Sequence, residues 1–421
     1  MNVYLAALGS AGDVYPFILV GDHLVKSGHC VYLCANPFFK ALAESRGMNF
    51  ISIGSAHEYQ KTITSPELWH KRTALDTLCR YMLTQQETMY DQLVSRVDAA
   101  DIMVTSLWSF AAKSLAEVKK CCVIPMRVGP STFLSQDKLP QHAKLSWLNL
   151  LPRPLRKYLI RVYEKQVLDR RLAAGVNAFR QKINLPPITR ILTHWTHHSD
   201  DGLVCLFPDW FAPVQADWPH NATLVGFPLF KASTPSDNRN VPPDFFAQET
   251  VLFCPGWALQ QDENLLRRII NEILRLRKQC LLVGVDPNAL PQQDGVLVRK
   301  EVDLDYCLNA CCAAIHHGGI GTVSLCFYHA VPQLIFPSAF DQFDNARRVE
   351  QLGCGITLTK RYSKAINQAL ERVINEGCIR ERCRWAQEKY GEKNHCMESI
   401  RTTLEQAHHQ HQLTIDPIAT A

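Results

Sequence analysis

The stretch from His316 to Gly355 reads HHGGIGTVSLCFYHAVPQLIFPSAFDQFDNARRVEQLGCG, and its reading decides the fold. It holds about one βαβ unit. Ala313–Ile315 is the first strand, and His316-His317-Gly318-Gly319-Ile320-Gly321-Thr322 is the turn after it. Ser324–Ala330 follows as helix, and Pro332–Phe336 returns as a buried apolar strand. Glycines in such a turn let the backbone approach a ligand closely, and the free N–H groups of the next helix face it. That chemistry suits a diphosphate. Asp341-Gln342 falls just past the end of the returning strand, where open α/β sheets bind their ligands.

The same alternation runs outward from this unit. Before it come strands at Val251–Cys254, Cys280–Val285 and Val296–Val298, with a helix at Leu265–Lys278. After it come a strand at Ile356–Leu358 and helices at Arg361–Asn375 and Ile379–Gln406. The N-terminal half repeats the theme. Strands are expected at Asn2–Leu8, Cys30–Ala35, Asn49–Ile53, Ile102–Thr105 and Val123–Val128, and helices at Phe17–Lys26, Phe38–Ser45 and Ala111–Lys119. Apolar strands alternating with amphipathic helices predict an α/β protein with parallel, doubly wound sheets. The 421 residues suit two domains of about 200 each. Lys231–Phe245 (KASTPSDNRNVPPDF) is polar and proline-rich and reads as the linker. The expected layout is domain 1–230, linker 231–248, domain 249–406 with its last helix open to crossing back to the first domain, and a frayed tail 407–421.

Composition narrows the class. Hydrophobic residues are 47% and charged residues 20% of the chain, the values of an ordinary globular protein. A net charge of +5 permits an anionic ligand or membrane surface and demands neither; nothing points to nucleic acid. No run of about 18 apolar residues is present, and Val3–Leu8 has no basic residue before it, unlike a signal peptide. The sixteen cysteines sit mostly in apolar segments without CxxC pairs, so reduced thiols and a cytoplasmic location are expected. His194, His197 and His198 cluster in sequence, and a polar loop is the preferred reading over a metal site. Leu151–Leu172 is a basic amphipathic helix. It reads first as a solvated face and second as a helix resting on the inner membrane surface.

The turn and the downstream DQxxNA (Asp341, Gln342, Asn345, Ala346) resemble the nucleotide-sugar glycosyltransferases of the GT-B fold. Leu8-Gly9-Ser10-Ala11-Gly12-Asp13-Val14-Tyr15-Pro16 resembles the GSxGDxxP loop of their UDP-glycosyltransferase, sterol and antibiotic glycosyltransferase branch. Val204–Pro213, Asp217-Trp218-Pro219 and Gly226–Phe230 are similar to the rhamnosyltransferases of rhamnolipid synthesis. The resemblance implies two Rossmann-like domains facing a central cleft. It also implies an inverting, metal-independent hexosyltransferase that uses a dTDP- or UDP-sugar as co-substrate and no cofactor. The leading expectation is rhamnose from dTDP-rhamnose onto a hydrophobic hydroxyl acceptor such as a hydroxy-fatty acid. Glucose from UDP-glucose onto a sterol, polyketide or other lipid is the alternative, and a non-catalytic nucleotide-sugar-binding or activator protein is the reading from another class.

Sugar transfer needs a base for the acceptor hydroxyl, donors for the leaving diphosphate and alignment of both substrates. Asp13, in a Gly-rich loop after the first strand, reads from the residues alone as a helix cap, and with the resemblance as the general base. The diphosphate is assigned to Gly256, His316, Gly318, Gly319, Gly321 and Thr322, with His317 ranked below His316. Asp341 and Gln342 are assigned to the sugar, Asn345 to orienting their loop, and the Val302 backbone to the nucleoside. Gly12, Trp108 and Phe133 are assigned to the acceptor pocket, helped by an aromatic insertion between Ser55 and Val97. Two departures from the family stand out. Pro255-Gly256-Trp257 replaces a Gly-Ser pair, and Ser324 stands where many members hold the ribose with Glu, which favours a deoxyribose donor.

Overall fold

The computed structural model describes residues 1–70, 72–140, 146–229, 241–392 and 395–419. The chain divides into two compact units. The first comprises Met1–Pro140, Lys144–Pro228 and His395–Ala421, and the second is chiefly Leu229–Asn394. Most of the sequence read as linker lies outside the described residues; its end, Pro243–Ala247, is a 3-10 turn.

The first unit is built on a seven-stranded sheet. Its strands are β1 (Asn2–Ala6), β2 (Cys30–Ala35), β3 (Asn49–Ser52), β4 (Ile102–Thr105), β5 (Cys122–Arg127), β6 (Leu203–Cys205) and β7 (Ala222–Leu224), in the order β3-β2-β1-β4-β5-β6-β7. Every pairing is parallel. Parallel strands covered on both faces by helices have no wet side. Val3, Leu5, Ile102, Val104 and Ile124 accordingly pack on one face, and Tyr4, Ala6 and Met103 on the other.

The second unit carries β8 (Thr250–Cys254), β9 (Gln279–Val283), β10 (Val296–Arg299), β11 (Cys311–His316), β12 (Gln333–Ile335) and β13 (Gly355–Thr357). Their order is β10-β9-β8-β11-β12-β13, again all parallel. Both sheets are therefore doubly wound. Chain direction switches between β1 and β4 in the first and between β8 and β11 in the second. In such sheets the switch point opens a crevice beyond the strand ends, where ligands bind.

Several expectations change. The first helix begins at Ala11, not Phe17, and carries Pro16 inside it. Residues 407–412 are no frayed tail, because the last helix runs from Cys396 to Ala419. Ile400 and Leu404 are buried in the first unit's core. A His411 ring nitrogen lies 2.8 Å from Asp201, and His408 is 2.8 Å from the Ala100 carbonyl. The Ser55–Val97 insertion forms four short helices between Ala56 and Leu93. Tyr59 and Met82 within it are core residues, at 2% and 1% exposure. All sixteen cysteines are free thiols. No described helix is long and apolar enough to cross a membrane.

The edge strand β13 gives a direct stability test. Gly355 pairs with Gln333, and a Cβ there would stand 2.2 Å from the Gln333 carbonyl oxygen, a backbone atom that cannot swing aside. Gly355→Ala is expected to destabilise the second unit by about 1–3 kcal/mol, the usual cost of overpacking. Urea unfolding of parent and variant measures it.

Candidate nucleotide-sugar site

At the switch point of the second sheet two loops leave adjacent strands. One follows β8 through Pro255, Gly256 and Trp257, and the other follows β11 from His317 to the helix Ile320–Tyr328. Gly319 is the N-cap of that helix. The backbone N–H groups of Ile320, Gly321 and Thr322 have no partner among the described residues, as the first turn of any helix requires. Such a cluster of oriented donors favours an anion.

His316 is the last residue of β11 and is fully buried. Its Nδ1 accepts from Gly318 N–H at 3.1 Å, which puts the ring proton on Nε2, 3.1 Å from Gln333 Oε1. Burial lowers its pKa to about 3, so the ring is neutral. Both nitrogens are engaged, and His316 has no N–H left for a phosphate. Its assignment to the diphosphate is corrected here: His316 shapes the turn.

His317, half-buried, takes the other side of the same turn. A Cβ on Gly256 would stand 2.5 Å from His317 Nδ1, and one on Gly319 would stand 2.8 Å from its Nε2. The imidazole therefore lies against both glycine loops. Nδ1 has no hydrogen-bond partner, and burial lowers the ring's pKa against an opposing backbone contact at Cys254. Gly256 has φ +65° and Gly318 φ +94°, values that only glycine adopts at ease. The turn is pinned from the third loop, because Asn345 Nδ2 donates to the Gly318 carbonyl at 3.0 Å and to Asp341 Oδ2 at 2.8 Å.

Gln342 is buried. Its Oε1 accepts the N–H groups of Ser338 and Ala339 at 2.8 and 3.1 Å, leaving the Nε2 amide as its available donor. Asp341, half-buried, sits beside Phe340, which is held at φ +50°. A non-glycine residue there costs about 1–3 kcal/mol, and such strain concentrates at ligand sites. Ser324 is buried and donates its hydroxyl to the Gly321 carbonyl at 2.9 Å, so its proton is spent within the helix. Trp257 and Val302 are half-buried.

The first sheet's switch point places Asp13. Ser10 caps the helix Ala11–Lys26 and closes a capping box with Asp13 at the third position. Asp13 Oδ2 accepts from Ser10 N–H at 2.8 Å and from its hydroxyl at 2.9 Å. Among the described residues nothing is hydrogen-bonded to Oδ1. A Cβ on Gly9, at φ +138°, would lie 2.4 Å from Asp13 Oδ2, so the glycine makes room for the carboxylate. Burial raises the Asp13 pKa, and the two Ser10 hydrogen bonds oppose the rise. Gly12 is exposed, and half-buried Trp108 lies in the loop after the neighbouring β4.

Phe133 borders a cavity and is itself buried. It is 4% exposed and stacks on His197 and Trp218 with centroids 4.4 and 4.2 Å away. The small cavity it borders, about 50 Å³, is lined largely by polar groups, among them Lys157, Arg161, Glu164, Arg190 and Asp217. His197 is committed to Arg127 Nε and the Thr132 carbonyl, and His198 to the His194 carbonyl. The three histidines thus form a structural loop. A different group, Cys122, Asp201 and His411, gathers within 4.8 Å. Asp201 already accepts from Val123 N–H and contacts His411, and burial pushes the Cys122 thiol upward, so the group stands as a structural clasp.

Known proteins share both halves. Residues 3–134 match the glycosyltransferase family 28 N-terminal domain, and residues 282–398 match the C-terminal domain of erythromycin biosynthesis protein CIII-like proteins. The fold is GT-B. The sterol 3-beta-glucosyltransferase of Komagataella phaffii is 24% identical over 97% of the chain and 35% of its own length. The chain spans only 26–35% of the length of the first sterol glucosyltransferases it matches. An O-mycaminosyltylonolide 6-deoxyallosyltransferase of Streptomyces fradiae is 24% identical over 91% of the chain and 92% of its own length. Among solved structures, the kitacinnamycin glycotransferase superposes with a TM-score of 0.73 at 18% identity, covering 96% of this chain and 98% of its own. A spinosyn rhamnosyltransferase complexed with thymidine diphosphate has a TM-score of 0.67 at 15% identity, covering 96% and 99%.

The site geometry gives a paired prediction. His317→Ala is expected to weaken nucleoside-diphosphate binding by about 1.5–3 kcal/mol, the value of a hydrogen bond to a charged group. His316→Ala is expected to lower stability as well, since it strips the partners of Gly318 and Gln333. Calorimetric titration of dTDP and UDP, with a thermal melt of each variant, separates the two roles.

Proposed function

We propose that the protein is a metal-independent, inverting glycosyltransferase that moves a hexose from a nucleoside-diphosphate sugar to a hydroxyl of a hydrophobic acceptor. The observation that carries this reading is the second unit's switch point. There the amides of Ile320–Thr322, the His317 ring and the Gly256 loop converge, and Asn345 ties the same turn to Asp341. Fixed N–H donors and an imidazole can stabilise the leaving diphosphate without a cation, because they are already oriented before charge develops. Asp341 and the Gln342 amide would hold sugar hydroxyls.

The relatives favour a sterol- or polyketide-type acceptor, since those matched over most of this chain act, by name, on sterols and macrolides. For the donor, Ser324 stands where the resemblance implies a Glu for the ribose and spends its proton on the Gly321 carbonyl, which favours a dTDP-sugar over a UDP-sugar. Rhamnose and glucose are the proposed sugars, both carried by the sequence resemblance. The Val302 backbone is the proposed nucleoside contact, and Gly12 and Trp108 the proposed acceptor contacts.

Asp13 would take the acceptor's proton through Oδ1 while Ser10 fixes Oδ2. A base must be deprotonated to act. With its pKa raised above the ordinary 3.8, transfer should fall on acidification at a higher pH than a free carboxylate would impose. Asp13→Asn should lose about 10²–10⁴-fold in rate and the acid limb with it, while dTDP affinity stays near the parent's. Transfer from dTDP- and UDP-sugars to sterol, macrolide and hydroxy-fatty-acid acceptors, with and without chelator, tests the reading. Product with an inverted anomeric centre and insensitivity to EDTA is expected. Hydrolysis of the donor without transfer, or dependence on Mg²⁺, would overturn it.

A further inference from the structure

The helix Arg153–Tyr163 and the 3-10 turn Ser146–Leu150 before it have an unusual surface. Trp147 is 55% exposed, Leu150 87%, Leu155 46%, Tyr158 63% and Val162 39%. These are five of the ten large exposed hydrophobic residues among the described residues, gathered in one short segment. Scattered single apolar residues on a surface need no explanation, but a gathered set marks an interaction face. Leu155, Tyr158 and Val162 span roughly 60° of the helix at 3.6 residues per turn. Ile160 lies on the opposite side, buried against Leu139 and Leu148. The helix is thus anchored by one apolar face and presents a second one outward.

Charge selects the occupant. From Trp147 to Tyr163 the chain contains Arg153, Arg156, Lys157 and Arg161 and no acidic residue. Arg153 pairs with Asp137, and Arg156 is spent on the Asp137 and Leu151 carbonyls. Lys157, Arg161 and, in the following π-helical turn, Lys165 are exposed with no ion pair among the described residues. Lys157 and Arg161, one turn apart, lie on one side of the outward apolar face, between it and buried Ile160, where they also border the polar cavity that holds Glu164 and Asp217. An apolar stripe bearing Trp and Tyr beside exposed cations fits the boundary between acyl chains and anionic headgroups.

We propose that this face docks the protein on the surface of an anionic lipid bilayer. Trp147, Leu150, Leu155, Tyr158 and Val162 enter the headgroup layer, and Lys157, Arg161 and Lys165 meet lipid phosphates. The proposal goes beyond the transfer reaction and does not depend on it, because its test reads binding alone.

The full chain is sedimented with phosphatidylcholine vesicles with and without phosphatidylglycerol. The parent is expected to partition onto the anionic vesicles and to be released by salt, as headgroup attraction is screened. Lys157→Glu and Arg161→Glu should each weaken partitioning about fivefold or more. Leu155→Ser and Tyr158→Ser together should weaken it at least about tenfold even at low salt. All four positions are at the surface, so the variants should melt like the parent. No binding to anionic vesicles, or equal binding by parent and variants, would overturn the proposal. So would a concentration-dependent dimer of the parent that Tyr158→Ser abolishes, which would assign the face to a second copy.

Discussion

A single run of hydrogen bonds, from Gln333 through His316, Gly318 and Asn345 to Asp341, organises the ligand end of the second sheet. Each link joins a different element. Gln333 lies on β12, His316 ends β11, Gly318 makes the turn, Asn345 is on the helix Gln342–Gln351 and Asp341 caps it. The run is buried, where an unmade bond is expensive and a made one is rigid. It fixes the turn in the one conformation that leaves the Ile320–Thr322 amides and His317 unspent. Donors already aligned need no reorganisation when a diphosphate arrives, and this is the condition for electrostatic stabilisation of a leaving group.

The first unit solves a smaller version of the same problem. One carboxylate oxygen of Asp13 serves the helix, and the other is left over. The capping box with Ser10 contributes to stability, and the space left by Gly9 lets the carboxylate sit there. Burial meanwhile raises the group's proton affinity. A carboxylate tuned upward and held in place is better suited to accept a proton near neutral pH than one in open water.

The strands were legible because both faces of each sheet are covered, so they read as continuous apolar runs. Helix starts were less so. Pro16 and the glycines before it look like loop, but Ser10 and Asp13 satisfy the first turn and carry the helix back to Ala11. The end of the last helix, beyond Gln406, was not legible because its support is distant. Asp201 and the Ala100 and Lys120 carbonyls hold His411 and His408, and no local pattern announces such partners. The two histidines of the turn exchanged roles for a reason that strand geometry contains. His316 pairs with Ile335 and Ala314 with Gln333. Residues two apart share a face, so the His316 side chain meets Gln333. A lone Gln in the apolar run PQLIF was the signal. His317, one residue later, turns toward the loops. Phe133 was less legible, since apolar type alone does not separate core from pocket.

The most direct measurement is a crystal structure of the protein with dTDP bound. The account predicts that the diphosphate oxygens lie within hydrogen-bonding distance of the Ile320–Thr322 amides and of a His317 ring nitrogen, with the His316–Gln333 and Gly318–Asn345 bonds unchanged. A nucleotide held elsewhere, or a diphosphate reached by His316 after its bond to Gln333 has broken, would contradict it.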